Sequence, residues 1–422
     1  MKRLVISAAL TVAAIGGPAS PAITAPAPAP APTIPRSALA STPVRTLNNN
    51  GAWCWFQGER AIIDSSGNLL VGSTPSTSGT AGVNRGGAVE VTTADASTLA
   101  VDRVDRVARA GRYRSDDHVS PGLLELPNGR IVASWAGHND DRLKESATLD
   151  RSDTAWSVNA STSRGTSTSY SNLLRLSTEN GGRGRIYDFY RAESQGVNAL
   201  VSDDDGRTWR YAGLLVENSP KHPYTRFVSN GRDRIDFVST TSNPQASRPS
   251  SVRSGYLKDG RIYRTDGVQI GTLGAGVDFS QLLPVDEGIA ASREGLDTDV
   301  WTADMALSNG NPVALLTVKH PTSPGIPGRN HKQEYRYARW TGTRWQVTRL
   351  AWGGSELYTE QQSYSGNATF DQTDPRRVFL SSNVDPRTGG RLNSAADGQP
   401  HWEVYEASTT DQGATWAVRS VT

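Results

Sequence analysis

The chain has 422 residues with 44 Lys+Arg against 42 Asp+Glu, a balance that gives no electrostatic case for a nucleic-acid partner. With 36% hydrophobic residues and a mean hydropathy of -0.49, it is too polar to be embedded in a membrane, yet long enough to bury a sizeable core. Gly (41) and Pro (23), with 11 Trp and 13 Tyr, fit many short strands joined by tight turns and disfavour an all-helical protein.

Lys2 and Arg3, an apolar run from Leu4 to Ile15 and small residues from Ala19 to Ala25 have the order of a secretory signal peptide. The run is too short for a comfortable membrane span. Ala-Pro alternation from Pro18 to Pro35 then gives a stiff tether in which no core forms. The expected organisation is a signal peptide over 1–25, a tether over 26–45 and a single folded domain over 46–422, secreted to the extracellular space. The single cysteine, Cys54, has no intramolecular partner and is expected as a buried strand residue.

From Trp53 onward, short runs rich in Val, Ile, Leu, Tyr and Trp alternate with Gly, Asn and Asp. Leu123–Leu126 before Pro-Asn-Gly and Arg130–Trp135 after it are one example. Such runs predict antiparallel hairpins, and no stretch of a dozen residues keeps a 3.6 period. The first chemistry-bearing segment follows: Asp116-Asp117-His118, the hairpin from Gly122 to Trp135, then His138-Asn139. The two histidines bracket one hairpin, so both are expected at the same end of neighbouring strands, held by Pro121 and Gly137. Two unrelated surface histidines would be the plainer account of this segment alone, and two His without a third ligand at zinc spacing are a weak metal signal. Tyr170 opens the next strand, and Arg191 ends its partner beyond a Gly-rich turn at Gly181–Gly184, which predicts corresponding hairpin ends. Tyr224 and Arg226 alternate onto one face of a third strand.

Two segments share the pattern Ser/Thr-x-Asp-x-Gly-x-Thr-Trp, Ser202–Trp209 and Thr409–Trp416. They match the Asp-box, in which the Asp caps a turn through backbone amides, the Gly takes a conformation closed to other residues and the Trp packs beneath. This is a structural device joining the outer strands of propeller blades. The roughly 375 residues beyond the tether compare with ~40–50 per four-stranded blade. Seven blades fit best, with six or eight as alternatives. The closing hairpin, Trp402–Tyr405 and Trp416–Val421, is expected to let the two chain ends share a blade.

The motifs Asp-Asp-His118, Leu-Pro-Asn-Gly-Arg130, Gly-His138-Asn139, Tyr170-Ser-Asn, Phe-Tyr-Arg191, Lys258–Gly267, Tyr364-Ser-Gly and Glu403-Val-Tyr through Trp416 resemble an Asp-box propeller family. It includes ulvan lyases and rhamnosyl-glucuronate lyases, and the likeness runs from about Ala52 to Thr422. It implies an all-β, seven-bladed β-propeller that cleaves the bond at O4 of a uronate by β-elimination. By resemblance, His118 and His138 are the paired active-site histidines, Tyr170 the acid and Arg191 a positive group beside it. Tyr224, Arg226, Asn139 and Tyr364 are the substrate-side residues. If the turn at Gly181–Gly184 does not absorb the long Tyr170–Arg191 spacing, Tyr187 or Tyr190 takes the acid role.

The chemistry is consistent with these residue types. Elimination needs a base for the C5 proton, a group that neutralises the carboxylate and an acid for the departing O4, all available without a metal. For a glucuronate, Tyr170 can take one proton and deliver one if Arg191 acidifies its phenol; for an iduronate, His118 is the better base. The chain departs from the family at Ser242-Asn243-Pro244 and Ser254-Gly255, where relatives carry histidines that a metal or an extended sugar contact would use. No cofactor is required, and a calcium or zinc ion in a blade would be structural. The expected partner is an acidic polysaccharide met by a monomer, with no nucleic acid and no membrane.

Three rival readings compete with this one. A sialidase-like hydrolase needs three arginines and an early Arg-Ile-Pro string, and only Ile34-Pro35-Arg36 is similar. A glycosidase of another kind would draw a carboxylate pair from Asp116, Asp117, Asp140 and Asp141. A non-catalytic carbohydrate-binding propeller would stack sugars on Trp and Tyr, but has no need of two imidazoles in one cavity.

Overall fold

Why the hairpins become a propeller is visible in their burial. Strand Ile131–Ala136 is buried at every position, as is Ile235–Thr240, so these strands have protein on both faces rather than on one. The computed structural model describes residues 45–54, 56–139, 144–162, 167–192, 196–243, 250–288, 299–320, 332–357, 364, 366–394 and 397–422. The signal segment and all of the tether but Arg45 lie outside the described residues, as do Asp140, Asp141 and Pro244.

Among the described residues six sheets follow one another along the chain, antiparallel except for one added edge strand in sheet III. Sheet I runs from Ala61–Ile63 to Val101–Ala108, sheet II from Gly122–Glu125 to Ser157–Thr162 and sheet III from Ser169–Leu176 to Arg210–Glu217. Sheet IV runs from Thr225–Ser229 to Gln269–Thr272, sheet V from Asp299–Ser308 to Trp345–Gly354 and sheet VI from Ala368–Phe370 to Ala417–Ser420. The first strands of successive sheets pack against one another in chain order and form the inner ring. Between sheets lie apolar layers: Leu70, Val91, Leu123 and Trp135 between I and II, and Phe189, Phe227 and Phe237 between III and IV. The fold is therefore an all-β propeller.

The expectation of seven blades is corrected to six. Length that a seventh blade would need is used elsewhere. Ala275–Asp278 returns to the outer edge of sheet III as a parallel strand, and Leu283–Asp286 pairs with Val252–Lys258 in sheet IV. The expected sharing of a blade by the chain ends is also overturned, because sheets I and VI each consist of consecutive strands.

The chain before sheet I has a different use. Its segment Phe56–Glu59 lies between the inner strands of sheets II and III: Gly58 N donates to Ser171 O (3.0 Å), Leu173 N to Gly58 O (3.0 Å) and Leu123 N to Glu59 O (2.7 Å). A Cβ on Gly122 would stand 2.7 Å from Gly58 O, so this insertion requires glycine there. Arg226 and Asp304 lock the arrangement from the other side. Arg226 donates to Gln57 O (3.3 Å) and pairs with Asp304 at 3.0 Å, while Asp304 accepts from Thr369 Oγ1 (2.8 Å) and Phe370 N (2.9 Å).

Both Asp-boxes lie between the third and fourth strands of their sheets, III and VI, as expected. In each, the Asp accepts from the Thr backbone N (2.8 and 2.9 Å) and the Thr hydroxyl (2.6 Å in both), and the Gly N donates to the leading hydroxyl (2.9 Å). Gly413 has φ +87 and a Cβ there would meet the Tyr337 ring at 2.4 Å. The second turn is thereby seated on sheet V.

Candidate active site

The inner strands all run the same way, so residues at their beginnings meet at one end of the ring, and the antiparallel second strands end there too. His118 precedes Gly122–Glu125, and His138 and Asn139 follow Ile131–Ala136. Tyr170 begins Ser169–Leu176, and Arg191 closes Arg185–Ala192 opposite Ser169. Tyr224 precedes Thr225–Ser229, Trp301 starts the inner strand of sheet V and Tyr364 precedes that of sheet VI. The turn at Gly181–Gly184 absorbs the long hairpin, with Gly181, Gly182 and Gly184 at positive φ. Tyr187 and Tyr190 are buried within the blades, whereas Tyr170 stands at the end where the histidines lie.

The two imidazoles stack with centroids 3.7 Å apart and planes 6° from parallel. One carboxylate holds both: His118 Nδ1 lies 2.7 Å from Asp116 Oδ1, and His138 Nδ1 lies 2.8 Å from Asp116 Oδ2. Asp116 also caps the turn Asp117–Val119 by accepting from His118 N at 3.0 Å. An ionised carboxylate only accepts, so each Nδ1 carries a proton and each Nε2 is left for chemistry. Asp117 Oδ1 adds a second contact to His118 Nδ1 at 2.7 Å. Gln57 fixes the turn from below by donating to His118 O and accepting from Ser120 Oγ.

Tyr170 stands beside this pair, its ring 5.1 Å from that of His118. It has φ +71, a costly conformation for a bulky residue and one that concentrates at functional sites. The cause is a β-bulge: Phe189 pairs with Asn172 and Arg191 with Ser169, so two residues oppose one. The bulge re-aims the phenol toward the centre. The Arg191 guanidinium lies 4.9 Å from the Tyr170 ring and 5.6 Å from the Tyr224 ring, and donates to Ser169 Oγ (3.3 Å) and Asn139 Oδ1 (3.4 Å). Below them Cys54, Phe56 and Trp301 form an aromatic floor against which Tyr224 and Tyr364 pack.

Electrostatics separate the roles. Burial works against the charge of Asp116, but hydrogen bonds from His118 and His138 hold its carboxyl far below the usual carboxylate range. Burial would lower His118 as well, yet Asp116 and Asp117 raise it above the ordinary imidazole value. Burial pushes the Tyr170 phenol well up, and the nearby Arg191 does not reverse this. Tyr170 is therefore protonated at neutral pH, which corrects the expectation that Arg191 acidifies it enough to serve as both base and acid. Two imidazolium charges 3.7 Å apart would repel by about 4 kcal/mol at an effective dielectric of ~20, so a singly charged pair is favoured.

Among the described residues, potential metal-ligating atoms come within 4.8 Å of one another in two groups, Cys54-Asp117-His118 and Asp116-His118-His138. Neither suits an ion. Parallel stacked rings cannot both aim an in-plane lone pair at one metal, and burial pushes the Cys54 thiol up to about 12, away from the thiolate that metals bind. The cluster is built for hydrogen bonding.

Of the residues named from sequence, His118, His138, Asn139, Tyr170, Arg191, Tyr224 and Tyr364 converge. Arg226 does not join them. It is 4% exposed and tied to Asp304 beneath the floor. The sequence reading missed Asp116 as the clamp on both rings, and Phe56, Gln57 and Trp301 as the floor. Cys54 is buried as expected but belongs to that floor, not to a strand. His222 was passed over as well. Burial and then the charge of Arg191 lower its imidazole, and its Nδ1 is buried without a hydrogen-bond partner among the described residues. A cavity of about 600 Å³ opens at the opposite ends of the inner strands, walled by Leu124, Leu126, Leu173, Phe227 and Met305, and no residue of the histidine site lines it.

Residues 81–352 match the family described as BNR repeat-containing. The fold is similar to a structure described as a new family of polysaccharide lyase, an ulvan lyase: TM-score 0.59 and 14% identity, over 88% of this chain and 85% of that one. It is also similar to a leech intramolecular trans-sialidase (TM-score 0.44, 11% identity, 87% and 69% covered) and to the fucose-specific lectin of Aleuria aurantia (TM-score 0.41, 10% identity, 88% and 97% covered). No curated protein sequence matches the chain.

Proposed function

This chain belongs to the BNR repeat-containing family, and on that footing we propose that it is a secreted, monomeric polysaccharide lyase. It cleaves the bond at O4 of a uronic acid, with a rhamnosyl-glucuronate linkage preferred, as in ulvan or arabinogalactan-type glycans. The observation that carries this reading is the meeting of two clamped imidazoles, a protonated phenol and a guanidinium at one end of the propeller. No cofactor is needed for the steps below.

An Nε2 of the stacked pair removes the C5 proton. The C5–H electrons form the C4=C5 double bond, the C4–O4 bond breaks and O4 takes a proton from Tyr170. Arg191 lies over the phenol ring and stabilises the phenolate left behind. A positive imidazole and Arg191 offset the charge that builds on the uronate carboxylate as C5 loses its proton. Tyr224 and Tyr364, partly exposed and packed on the buried floor of Phe56 and Trp301, are the aromatic side chains placed to meet a sugar ring. Hydrolysis is less well supported, because both oxygens of Asp116 are engaged by imidazoles and Arg226 is engaged by Asp304.

The test is incubation with ulvan or an arabinogalactan-type glycan. The expected product carries a double bond conjugated to the carboxylate and absorbs in the ultraviolet; new reducing ends without that chromophore would overturn the reading in favour of hydrolysis. His118→Ala and His138→Ala should each lower turnover on the order of 10²–10⁴-fold, with thermal unfolding near that of the parent, since the two side chains are 17% and 30% exposed.

A further inference from the structure

We propose that Asp117 decides which of the two stacked imidazoles is charged, so that His118 holds the positive charge beside the substrate carboxylate while His138 stays neutral and supplies the base at Nε2. The proposal rests on the lyase reading and divides the labour within its site.

The geometry is asymmetric. Asp116 gives one oxygen to each ring and so cannot discriminate between them. Asp117 places its carboxylate 2.7 Å from Nδ1 of His118 and makes no contact with His138 among the described residues. His118 therefore sees two anions and His138 one, and their near-parallel contact at 3.7 Å makes a second positive charge costly. Other groups do not reverse the bias. From the preceding segment His118 is faced by Cys54, whose thiol is neutral at working pH, and from the strand of sheet III by Tyr170, neutral as well. Of the cations nearby, Arg191 lies over the Tyr170 and Tyr224 rings and Arg60 over the Trp53 ring, and next to His138 stands the uncharged Asn139. Asp140, Asp141 and Arg142 are outside the described residues.

The consequence is chemical. A base must arrive deprotonated and a carboxylate neutraliser must arrive charged, and two identical side chains acquire these opposite states only if their surroundings differ. Asp117 supplies the difference as a positioning residue, without touching substrate. Its side chain is 47% exposed, so its replacement leaves the packed site intact.

The experiment is an NMR titration of the histidine ring nitrogens in the full chain and in Asp117→Asn, followed by kcat/KM against pH on the glycan. In the parent protein His118 should titrate at higher pH than His138, with both rings protonated at Nδ1. Asp117→Asn should move the His118 titration to lower pH and bring the alkaline limb of the rate profile down with it, with KM rising more than kcat falls at alkaline pH. Two results would overturn the proposal: an unchanged His118 titration in the variant, or a His138 that titrates above His118. The titration needs no turnover, so its outcome stands apart from that of the lyase reading. Asp117→Glu, which restores the anion, should recover the parental profile; failure to do so while Asp117→Asn shifts would mean that a merely structural contact was lost.

Discussion

The corner at Asp116 and the Asp-box turns at Asp204 and Asp411 use one device with opposite results. In all three, a carboxylate accepts from a backbone N–H and a side chain a few residues ahead. In the boxes the donors are threonine hydroxyls and amides, which do not titrate, and the product is a fixed turn. Asp411 is exposed and, chiefly through the Thr415 hydroxyl, is held down at about 2; little else depends on it. At Asp116 the donors are imidazoles, one two residues ahead and one brought from across a hairpin. The same acceptor geometry then sets the tautomer of two imidazoles, side chains able to take up and release a proton. A carboxylate turn becomes a chemical site when its donors can lose their protons.

The comparison is tested most severely by Asp116→Asn. Turnover per folded molecule should fall on the order of 10²–10⁴-fold, with a lower melting temperature because the ionised carboxylate contributes to stability, and a variant with parental initial rates would reduce Asp116 to another turn-former. Next in size is Arg226→Met. Removing one partner of a buried ion pair costs about 3 kcal/mol, so chemical denaturation should show the loss while KM of the folded protein is unchanged. A raised KM at parental stability would return Arg226 to the substrate. Gly413→Ala, which places a Cβ against Tyr337 at positive φ, should lower stability by about 1–3 kcal/mol and leave turnover per folded molecule as it was.

The smallest effect is the pH dependence of stability. The folded-state value of His118 is raised, so its contribution is fully present below about 6.5 and is lost as pH rises through the raised value. The difference in melting temperature between parent and Asp117→Asn should therefore be larger near pH 6 than near pH 9. The carboxylate of Asp116 is held low, so its contribution is fully present above about 4 and is lost progressively as pH falls from there toward the folded-state value.

The amino-acid sequence by itself determined the strands, the turns and the hairpin ends. Alternation with Gly, Asn and Asp punctuation makes hairpins wherever it occurs, and the Ser/Thr-x-Asp-x-Gly-x-Thr-Trp pattern closes its turn with donors a few residues apart. For the same reason, His118 with His138 and Tyr170 with Arg191 were legible: each pair is joined by a single hairpin, whose register is local. Tertiary structure alone decided the rest. Six blades rather than seven follows from strands that leave their own sequence neighbourhood, Ala275–Asp278 for sheet III and Leu283–Asp286 for sheet IV. The floor of Phe56, Gln57 and Trp301 is assembled from segments more than two hundred residues apart, and Arg226 was misplaced because alternation gives the face of a strand but not the height at which an ion pair engages it. The charge of a group such as Tyr170 depends on how much protein surrounds it, a property of the whole ring of sheets that no local pattern encodes.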